Sequence, residues 1–303
     1  MSAARRAVVL HNPTAGRGTG EATALLAGKV LSSAGWEVEL VPTQGPGDAT
    51  RIGREADADR LVVVGGDGTL REAAEGVLTS GRALELGFVP RGNANVVARE
   101  LAIPLGVEGA IRTLVEGHPR PVDILRANGR FVLAMVGLGY DARVVHSIHA
   151  ARSRPRLRHW YRLHADSLYG VLGAAALLGR YPASFRVAVD GRDLGGGFRH
   201  GVVCNVETYA KGWAMTPGAS VGDGLLDWAV RRSSGPLPGA LVMGAAALRR
   251  RGPRWLAQRG VARQLVLEAE RGAIEWQADG DPQEAVARLE LEVQPAALRI
   301  VAP

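Results

Sequence analysis

The stretch "LVVVGGDGTLREA" (61–73) decides the fold. Four apolar residues read as a buried strand. Gly65-Gly66-Asp67-Gly68-Thr69 follows, and then a helix-like spacing. Glycine is placed where backbone bends sharply or approaches a ligand closely. One Asp-Gly after a strand is usually a tight turn with an Asp helix cap, but three glycines exceed what a cap needs. Open α/β sheets bind ligands beyond the carboxyl ends of their strands, and Asp67 stands at such an end.

Outward from this loop, the first third alternates strand and helix. Segments 6–12, 36–41, 60–64 and 84–90 read as strands. Segment 19–35 has apolar residues at helical spacing, Asp48 caps a short helix to 58, and 69–78 reads as a helix stopping at Gly81. This alternation predicts a parallel sheet. Near residue 120 the pattern changes to extended segments. Turn dipeptides punctuate them at Asn128-Gly129, Asp190-Gly191, Asp223-Gly224 and Asp279-Gly280. One helical stretch, 166–181, interrupts them. The expected fold class is α/β with two domains. An N-terminal Rossmann-like parallel α/β domain spans 1–122 and a mostly antiparallel β domain spans 123–293. No repeat and no low-complexity linker separates them.

The 303 residues suit two domains. A hydrophobic content of 47% with 22% charged residues is that of a soluble globular protein. No apolar run reaches the ~20 residues of a membrane span, and the apolar run before His11 is too short for a signal peptide, so a cytoplasmic protein is expected. The single cysteine, Cys204, excludes an internal disulfide and a Cys-rich zinc site. It reads as a small buried residue.

The net charge of +7 is carried by arginine, since lysine occurs only at positions 29 and 211. A basic balance suits anionic partners. The densest patch, "ARSRPRLRHWYRLH" (151–164), sets Arg152, Arg154, Arg156, Arg158 and Arg162 beside Trp160 and Tyr161. It fits nucleic acid, an anionic lipid surface or a solvated loop. No nucleic-acid recognition motif accompanies it, and no nucleic-acid partner is expected.

Two further loops resemble the first in composition. "HNPTAGRGTG" (11–20) follows the first strand and precedes a helix, a phosphate-cradling layout. It is neither a GxxxxGK[ST] loop nor a GxGxxG fingerprint, since position 21 is Glu. "VPRGNANVVAREL" (89–101) follows the fourth strand. Three such loops on one edge of one parallel sheet would converge on a single ligand. In the β domain, "GASVGDGLLDWAV" (218–230) and "WQADGDPQ" (276–283) place carboxylates in turns. Asp279 and Asp281 there could bind a divalent cation, accept a proton, or be ordinary turn residues.

Together these pieces resemble a known family. "NPTAGRG" (12–18), "GGDGTLREAAEGV" (65–77), "PRGNANVVARELAIP" (90–104), "AIRTLVEGHPRPVDI" (110–124), "GDGLLDWAV" (222–230), "QADGDP" (277–282) and "PAALRI" (295–300) carry the likeness. The chain resembles the bacterial soluble lipid kinases of the diacylglycerol kinase catalytic-domain family, which includes the sphingosine and ceramide kinases. The Gly-Asp loop alone is shared with NAD kinases and phosphofructokinases. The resemblance implies an N-terminal nucleotide domain, a C-terminal β-sandwich for the lipid, ATP in the cleft between them, and a tail, 294–303, that returns to the first domain. It implies nucleotide contacts from Asn12, Thr43, Gly65, Gly66, Asp67, Gly68, Thr69 and Asn93. It places Asp281, with Asp279 beside it, where the family has its proton acceptor. It places Asp223, with the carbonyls of Ser220 and Leu225, where bacterial members hold a structural Mg²⁺.

Two departures stand out. The family's Gly-Thr-x-Asn-Asp is Gly92-Asn93-Ala94-Asn95-Val96, which lacks an acid, and its Asp-Gly-Glu is Asp279-Gly280-Asp281. Phosphoryl transfer needs phosphate positioning, a metal and a proton acceptor. The glycine loops supply the first, Asp67 can hold Mg²⁺ near the phosphates, and Asp279 or Asp281 can supply the last. The expected activity is an ATP-dependent lipid kinase acting on diacylglycerol, a ceramide or sphingoid lipid, or phosphatidylglycerol. It would dock reversibly at the inner membrane surface through 152–162. The alternatives are a kinase for a soluble substrate such as NAD, and a non-catalytic nucleotide or lipid sensor. Nothing in the sequence specifies an oligomeric state.

Overall fold

A computed structural model of the chain describes residues 5–154, 171–173, 175–176, 178–179, 181–209, 213–233, 235–249 and 255–303. The chain divides into two compact units. The first comprises Met1–Ile124, Val221–Asp223 and Gln294–Pro303; the second comprises Leu125–Ser220 and Gly224–Val293.

In the first unit, β1 (Arg5–His11), β2 (Trp36–Pro42), β3 (Arg60–Gly65) and β4 (Glu85–Pro90) form a parallel sheet in the order β2-β1-β3-β4. Every residue of β3 is buried, as its unbroken apolar run requires in a sheet covered on both faces. The register pairs His11 with Pro42 and with Val64, and Gly65 with Pro90. The four carboxyl ends therefore lie level. After β2 the chain returns to the other side of β1, so the strand order reverses between β1 and β3. That reversal is where open α/β sheets place a ligand crevice.

Helices α1 (Gly20–Ser33), α2 (Asp48–Glu55), α3 (Asp67–Ser80), α4 (Val96–Glu100) and α5 (Val107–Glu116) connect the strands. The face α1 buries is Gly20, Thr23, Ala24, Ala27, Gly28 and Leu31, a 3.6-residue stripe. Asp48 is the first residue of α2 and Gly47 occupies its cap. α3 begins two residues earlier than its sequence periodicity indicates and stops at Gly81, which takes the left-handed conformation (φ 68°) of a helix C-terminus.

In the second unit one antiparallel sheet has six strands in the order β14-β13-β10-β7-β16-β17. These are β14 (Gln258–Ala262), β13 (Leu226–Arg231), β10 (His200–Cys204), β7 (Met135–Leu138), β16 (Trp276–Ala278) and β17 (Asp281–Pro282). β5 (His118–Ala127), β6 (Arg130–Val132), β8 (Ser184–Val189), β9 (Arg192–Asp193), β15 (Gln264–Arg271) and the start of β18 (Arg288–Ala302) supply the facing layer. Leu138, Val203, Trp228 and Trp276 of one layer share a core with Leu125, Val187, Leu265 and Leu289 of the other. This is a β-sandwich. β18 ends in the first unit, where Arg299 and Ile300 pair in parallel with Glu85 and Leu86. A small pair, β11 (Thr208–Tyr209) and β12 (Trp213–Ala214), stands apart.

Three of the four turn dipeptides close hairpins with both residues at positive φ: Asn128-Gly129, Asp190-Gly191 and Asp279-Gly280. Asp223-Gly224 does not, since only Gly224 is left-handed. The single helical interruption expected at 166–181 falls mostly outside the described residues. Among the described residues, two helices stand elsewhere in this unit: α6 (Tyr140–Ser153) and α7 (Pro236–Ala247).

Candidate active site

The loops after β1, β3 and β4 meet at the level carboxyl ends. Arg91 donates its backbone N–H to the Gly65 carbonyl (2.6 Å), Gly16 donates to the Arg91 carbonyl (3.0 Å), and the Arg91 guanidinium donates to the Thr19 hydroxyl. Asn12 folds the first loop: its Oδ1 accepts from the Thr14 N–H (3.0 Å) and hydroxyl (2.8 Å). Thr43 joins this edge by donating its N–H to the His11 carbonyl (2.9 Å).

The glycines explain themselves here. Gly66 is extended (φ −96°, ψ −178°), so it is not chosen for a left-handed turn. Closeness explains it: a Cβ on Gly66 would lie 3.2 Å from the Gly92 Cα, and one on Gly92 2.7 Å from the Gly66 Cα. A Cβ on Gly65 would lie 2.8 Å from the Thr69 Cβ, whereas one on Gly68 would meet nothing within 4 Å. The backbone at Gly68 thus faces open space at the start of a 14-residue helix, where N–H groups and the helix dipole favour an anion. Asp67 is the first residue of that helix, and its Oδ1 accepts from the Val97 N–H (3.4 Å), tying the second loop to the third.

The expected nucleotide residues Asn12, Thr43, Gly65, Gly66, Asp67, Gly68 and Thr69 are therefore brought to one edge of one sheet. Asn93 sits exposed in the third loop. Its neighbour Asn95 was not anticipated. Buried and left-handed (φ 48°), it exchanges two 2.9 Å hydrogen bonds with Gly92 and fixes the loop that Asp67 touches. An Asn three residues after a loop glycine is the signal that could have found it. His11, at the end of β1, has its pKa lowered by burial, with Glu21 opposing.

In the second unit the two candidate acids separate. Asp279 accepts from three backbone N–H groups, those of Leu133 (2.8 Å), Ala134 (2.8 Å) and Met135 (3.0 Å). Its carboxylate anchors the β16–β17 hairpin to the strand beside it. Asp281 is about half exposed and stands 3.7 Å from Arg130. Next to the hairpin, buried Gln277 donates to Asp141 (2.7 Å). Asp141 was not singled out from the sequence, although "GLGYDA" (137–142) repeats the strand–glycine–Asp–helix pattern of 61–70. Asp141 lines a largely apolar cavity with Tyr140, His200 and Arg231. Burial raises the Tyr140 pKa to about 12. Burial, then Arg231, Arg199 and Arg143, lowers that of His200 to about 3.

Ser220, Asp223 and Leu225 lie in the segment before β13. Among the described residues no three His, Cys, Asp or Glu side chains form a metal-holding group. A cation there would rest on the single Asp223 carboxylate and backbone oxygens, a donor set suited to a hard ion completed by water. Of the basic patch, Arg154 is described at the end of α6. Arg156, Arg158, Trp160, Tyr161 and Arg162, and the Arg152 side chain, lie outside the described residues.

Comparison with known proteins accords with this geometry. Residues 6–127 match the diacylglycerol kinase catalytic domain, and residues 134–302 match the YegS C-terminal NAD kinase beta sandwich-like domain. A diacylglycerol kinase of Staphylococcus epidermidis is 33% identical over 138 residues, covering 45% of this chain and 44% of the relative. One of Staphylococcus aureus is 34% identical over 143 residues, covering 46% and 45%. The matched stretch thus spans less than half the length of these curated relatives. A crystal structure of a diacylglycerol kinase from Bacillus anthracis str. Sterne superposes with a TM-score of 0.76 at 19% identity, covering 100% of this chain and 98% of that one, and so shares the fold. The chain belongs to the diacylglycerol kinase catalytic-domain family whose second domain is the YegS-type NAD kinase-like β-sandwich.

Proposed function

We propose that the chain is an ATP-dependent lipid kinase that transfers the γ-phosphate to a lipid hydroxyl. The observation that carries this reading is the glycine cradle at the strand-order reversal, with Asp67 opening a helix beside backbone that no side chain shields. ATP would lie on the domain that begins at β1, its phosphates met by the loops of Asn12, Gly65–Thr69 and Asn93, with Thr43 at the flank. The Gly66–Gly92 approach brings the second and third loops together, and the open backbone at Gly68 would leave room for phosphate. Asp67 fits a Mg²⁺ held jointly with those phosphates, and that ion would neutralise charge on the transferring group.

The acceptor hydroxyl would lose its proton to Asp281. With three amides on the Asp279 carboxylate, Asp281 is the acid of the pair that can take up a proton without breaking the hairpin. A structural Mg²⁺ would rest on Asp223 with the carbonyls of Ser220 and Leu225. The Asp223→Ala variant should then melt earlier and respond less to added Mg²⁺, and an unchanged response to EDTA would count against that ion.

A lipid substrate is favoured by α7. Its stretch 235–248 contains no charged residue. Leu237 (70%), Leu248 (71%) and, just beyond, Trp255 (77%) are exposed. Arg249, Arg250, Arg251 and Arg254 follow in the sequence. An apolar helix flanked by cations and Trp suits an anionic bilayer surface, in keeping with a peripheral protein. No described helix is long and apolar enough to cross a membrane.

The test is phosphate transfer from labelled ATP to diacylglycerol, ceramide, sphingosine and phosphatidylglycerol in detergent micelles, with NAD as a soluble arm. Label in one or more lipids is the expected result. Label in NAD alone, or ATP binding with no transfer, would overturn the reading.

A further inference from the structure

Arg130 has no part in the steps above, yet two constraints hold it against Asp281. The first is its own hairpin. The Asn128-Gly129 turn, left-handed at both residues (φ 46° and 83°), opens β6 at Arg130 and pairs it with Ala127. Residues alternate faces along a strand, so Arg130 shares its face with Val132, which is buried in the sandwich core. The start of its side chain is covered, and its Nε is buried without a hydrogen-bond partner. The second constraint is Asp279. Its carboxylate takes the N–H groups of Leu133, Ala134 and Met135, the run directly after β6. Ala278 pairs with Val136 in antiparallel strands, so fixing Asp279 on 133–135 carries the chain on toward Arg130. Nη2 of Arg130 ends 3.7 Å from Asp281 Oδ2, with the two side chains 35% and 47% exposed.

An ion pair at that distance is beyond hydrogen-bond reach, and one so open to water adds little to stability. A guanidinium presents five N–H donors, and among the described residues that of Arg130 makes no hydrogen bond. Chemistry then fixes what comes to it. A general base lies ~2.6–3.2 Å from the hydroxyl oxygen it deprotonates. In phosphoryl transfer that oxygen is the one that bonds to phosphorus, and charge spreads over three equatorial oxygens. A hydroxyl that reaches Asp281 therefore brings the transferring phosphoryl group beside Arg130. The planar fork of a guanidinium matches phosphate oxygens two at a time.

We propose that Arg130 is a catalytic residue that donates to the equatorial oxygens of the phosphoryl group during its transfer. The proposal rests on the kinase reading with Asp281 as base. The acceptor O–H proton goes to the Asp281 carboxylate, and the hydroxyl oxygen forms the new O–P bond. The old P–O bond breaks, and its electron pair leaves on ADP. Asp281 loses its charge as the proton arrives, which frees the guanidinium for the phosphoryl oxygens as their charge develops. Asp279 holds both side chains in place and takes no part in the step.

Transfer of labelled γ-phosphate to a lipid that the parent labels tests it. Arg130→Met should lower kcat ~10²–10³-fold, the scale of one lost contact to developing charge, and leave KM for ATP and lipid within about twofold. Its melting temperature should stay near that of the parent. Arg130→Lys, a charge without the fork, should recover part of the loss. A second readout needs no turnover. The parent should bind ADP with aluminium fluoride, Mg²⁺ and that lipid more tightly than ADP alone; Arg130→Met should lose most of this gain, and Asp281→Asn should keep it. Parental kcat in Arg130→Met overturns the proposal, as does a loss confined to KM. Parental binding of the fluoride complex by Arg130→Met also overturns it, since Arg130 would then only brace Asp281. If Arg130→Met fails to fold, Arg130→Gln is held to the same outcomes. A parent that labels no lipid brings down the kinase reading and this assignment together, whereas a parent that labels lipid beside an undiminished Arg130→Met removes Arg130 alone.

Discussion

At the residue scale, Asp67 and Asp279 show how one side chain in a similar setting takes different work. Both follow a strand beside glycine. Asp67 opens a helix, and its Oδ1 accepts from the Val97 N–H at 3.4 Å beyond the sheet edge, whereas Asp279 accepts from three backbone N–H groups at 2.8–3.0 Å that anchor a hairpin. Asp67→Asn is therefore expected to keep the melting temperature within a few degrees while lowering kcat by ~10² or more, the scale of one lost electrostatic contact. Parental turnover in that variant would remove Asp67 from the site. Asp279→Ala should cost ~3 kcal/mol or more in urea unfolding, because three buried N–H groups lose a charged acceptor. Asp281→Asn should unfold like the parent, since a half-exposed pair with Arg130 is worth only ~0–1 kcal/mol, yet it should fail in single turnover. If a folded Asp279→Asn fails and Asp281→Asn transfers normally, the two roles are exchanged.

At the element scale, helix-to-helix and loop-to-loop approach is set by glycine. A Cβ at Gly76 of α3 would run into the Thr50 carbonyl of α2, just as one at Gly92 would crowd Gly66. α7 is the opposite case: Val242 and Ala246 face the cavity while Leu237 and Leu248 face outward, leaving no polar face. Such a helix is normally covered or lies against lipid. Replacing Leu237 and Leu241 together by Ser should weaken sedimentation with anionic vesicles ~10-fold or more, given ~1.5–3 kcal/mol for fully burying each leucine, without touching ATP binding. Reversing Arg154, Arg156 and Arg158 to Glu in the same assay measures the other docking segment. Vesicle binding that is unchanged in the leucine variant would mean α7 does not touch the membrane. The absent polar face is also why α7 escaped sequence reading. With apolar residues all round, Pro at its start and glycines within, no 3.6-residue contrast exists to detect.

At the scale of the whole molecule, stability is tied to pH through His200. Its folded pKa is lowered to about 3, by burial first and then by Arg231, Arg199 and Arg143, with the Tyr140 backbone N–H and the Tyr181 ring as its other neighbours. Between about pH 6.5 and 3 the unfolded chain takes up a proton that the fold refuses, so stability falls as pH falls, by ~1.4 kcal/mol per pH unit from this residue. His200→Gln should flatten that slope, as read from urea midpoints at about pH 7 and about pH 5; an unaltered slope would refute the assignment.

What the sequence determined by itself is what neighbouring residues specify. The strand–helix alternation of the first third, the buried run 61–64, the hairpins at three dipeptides and the common edge of the glycine loops all follow from short-range pattern and chain direction. Only the tertiary structure decided the rest. The strand order β2-β1-β3-β4 sets β1 beside β3, and the Gly66–Gly92 approach joins loops from different strands. The amides of 133–135 take up Asp279 from far along the chain, and Arg231 meets His200 only through the pairing of β10 with β13. The physical reason is common to all four. Periodicity records that a face is buried, but the partner that buries it is chosen by packing between segments distant in sequence.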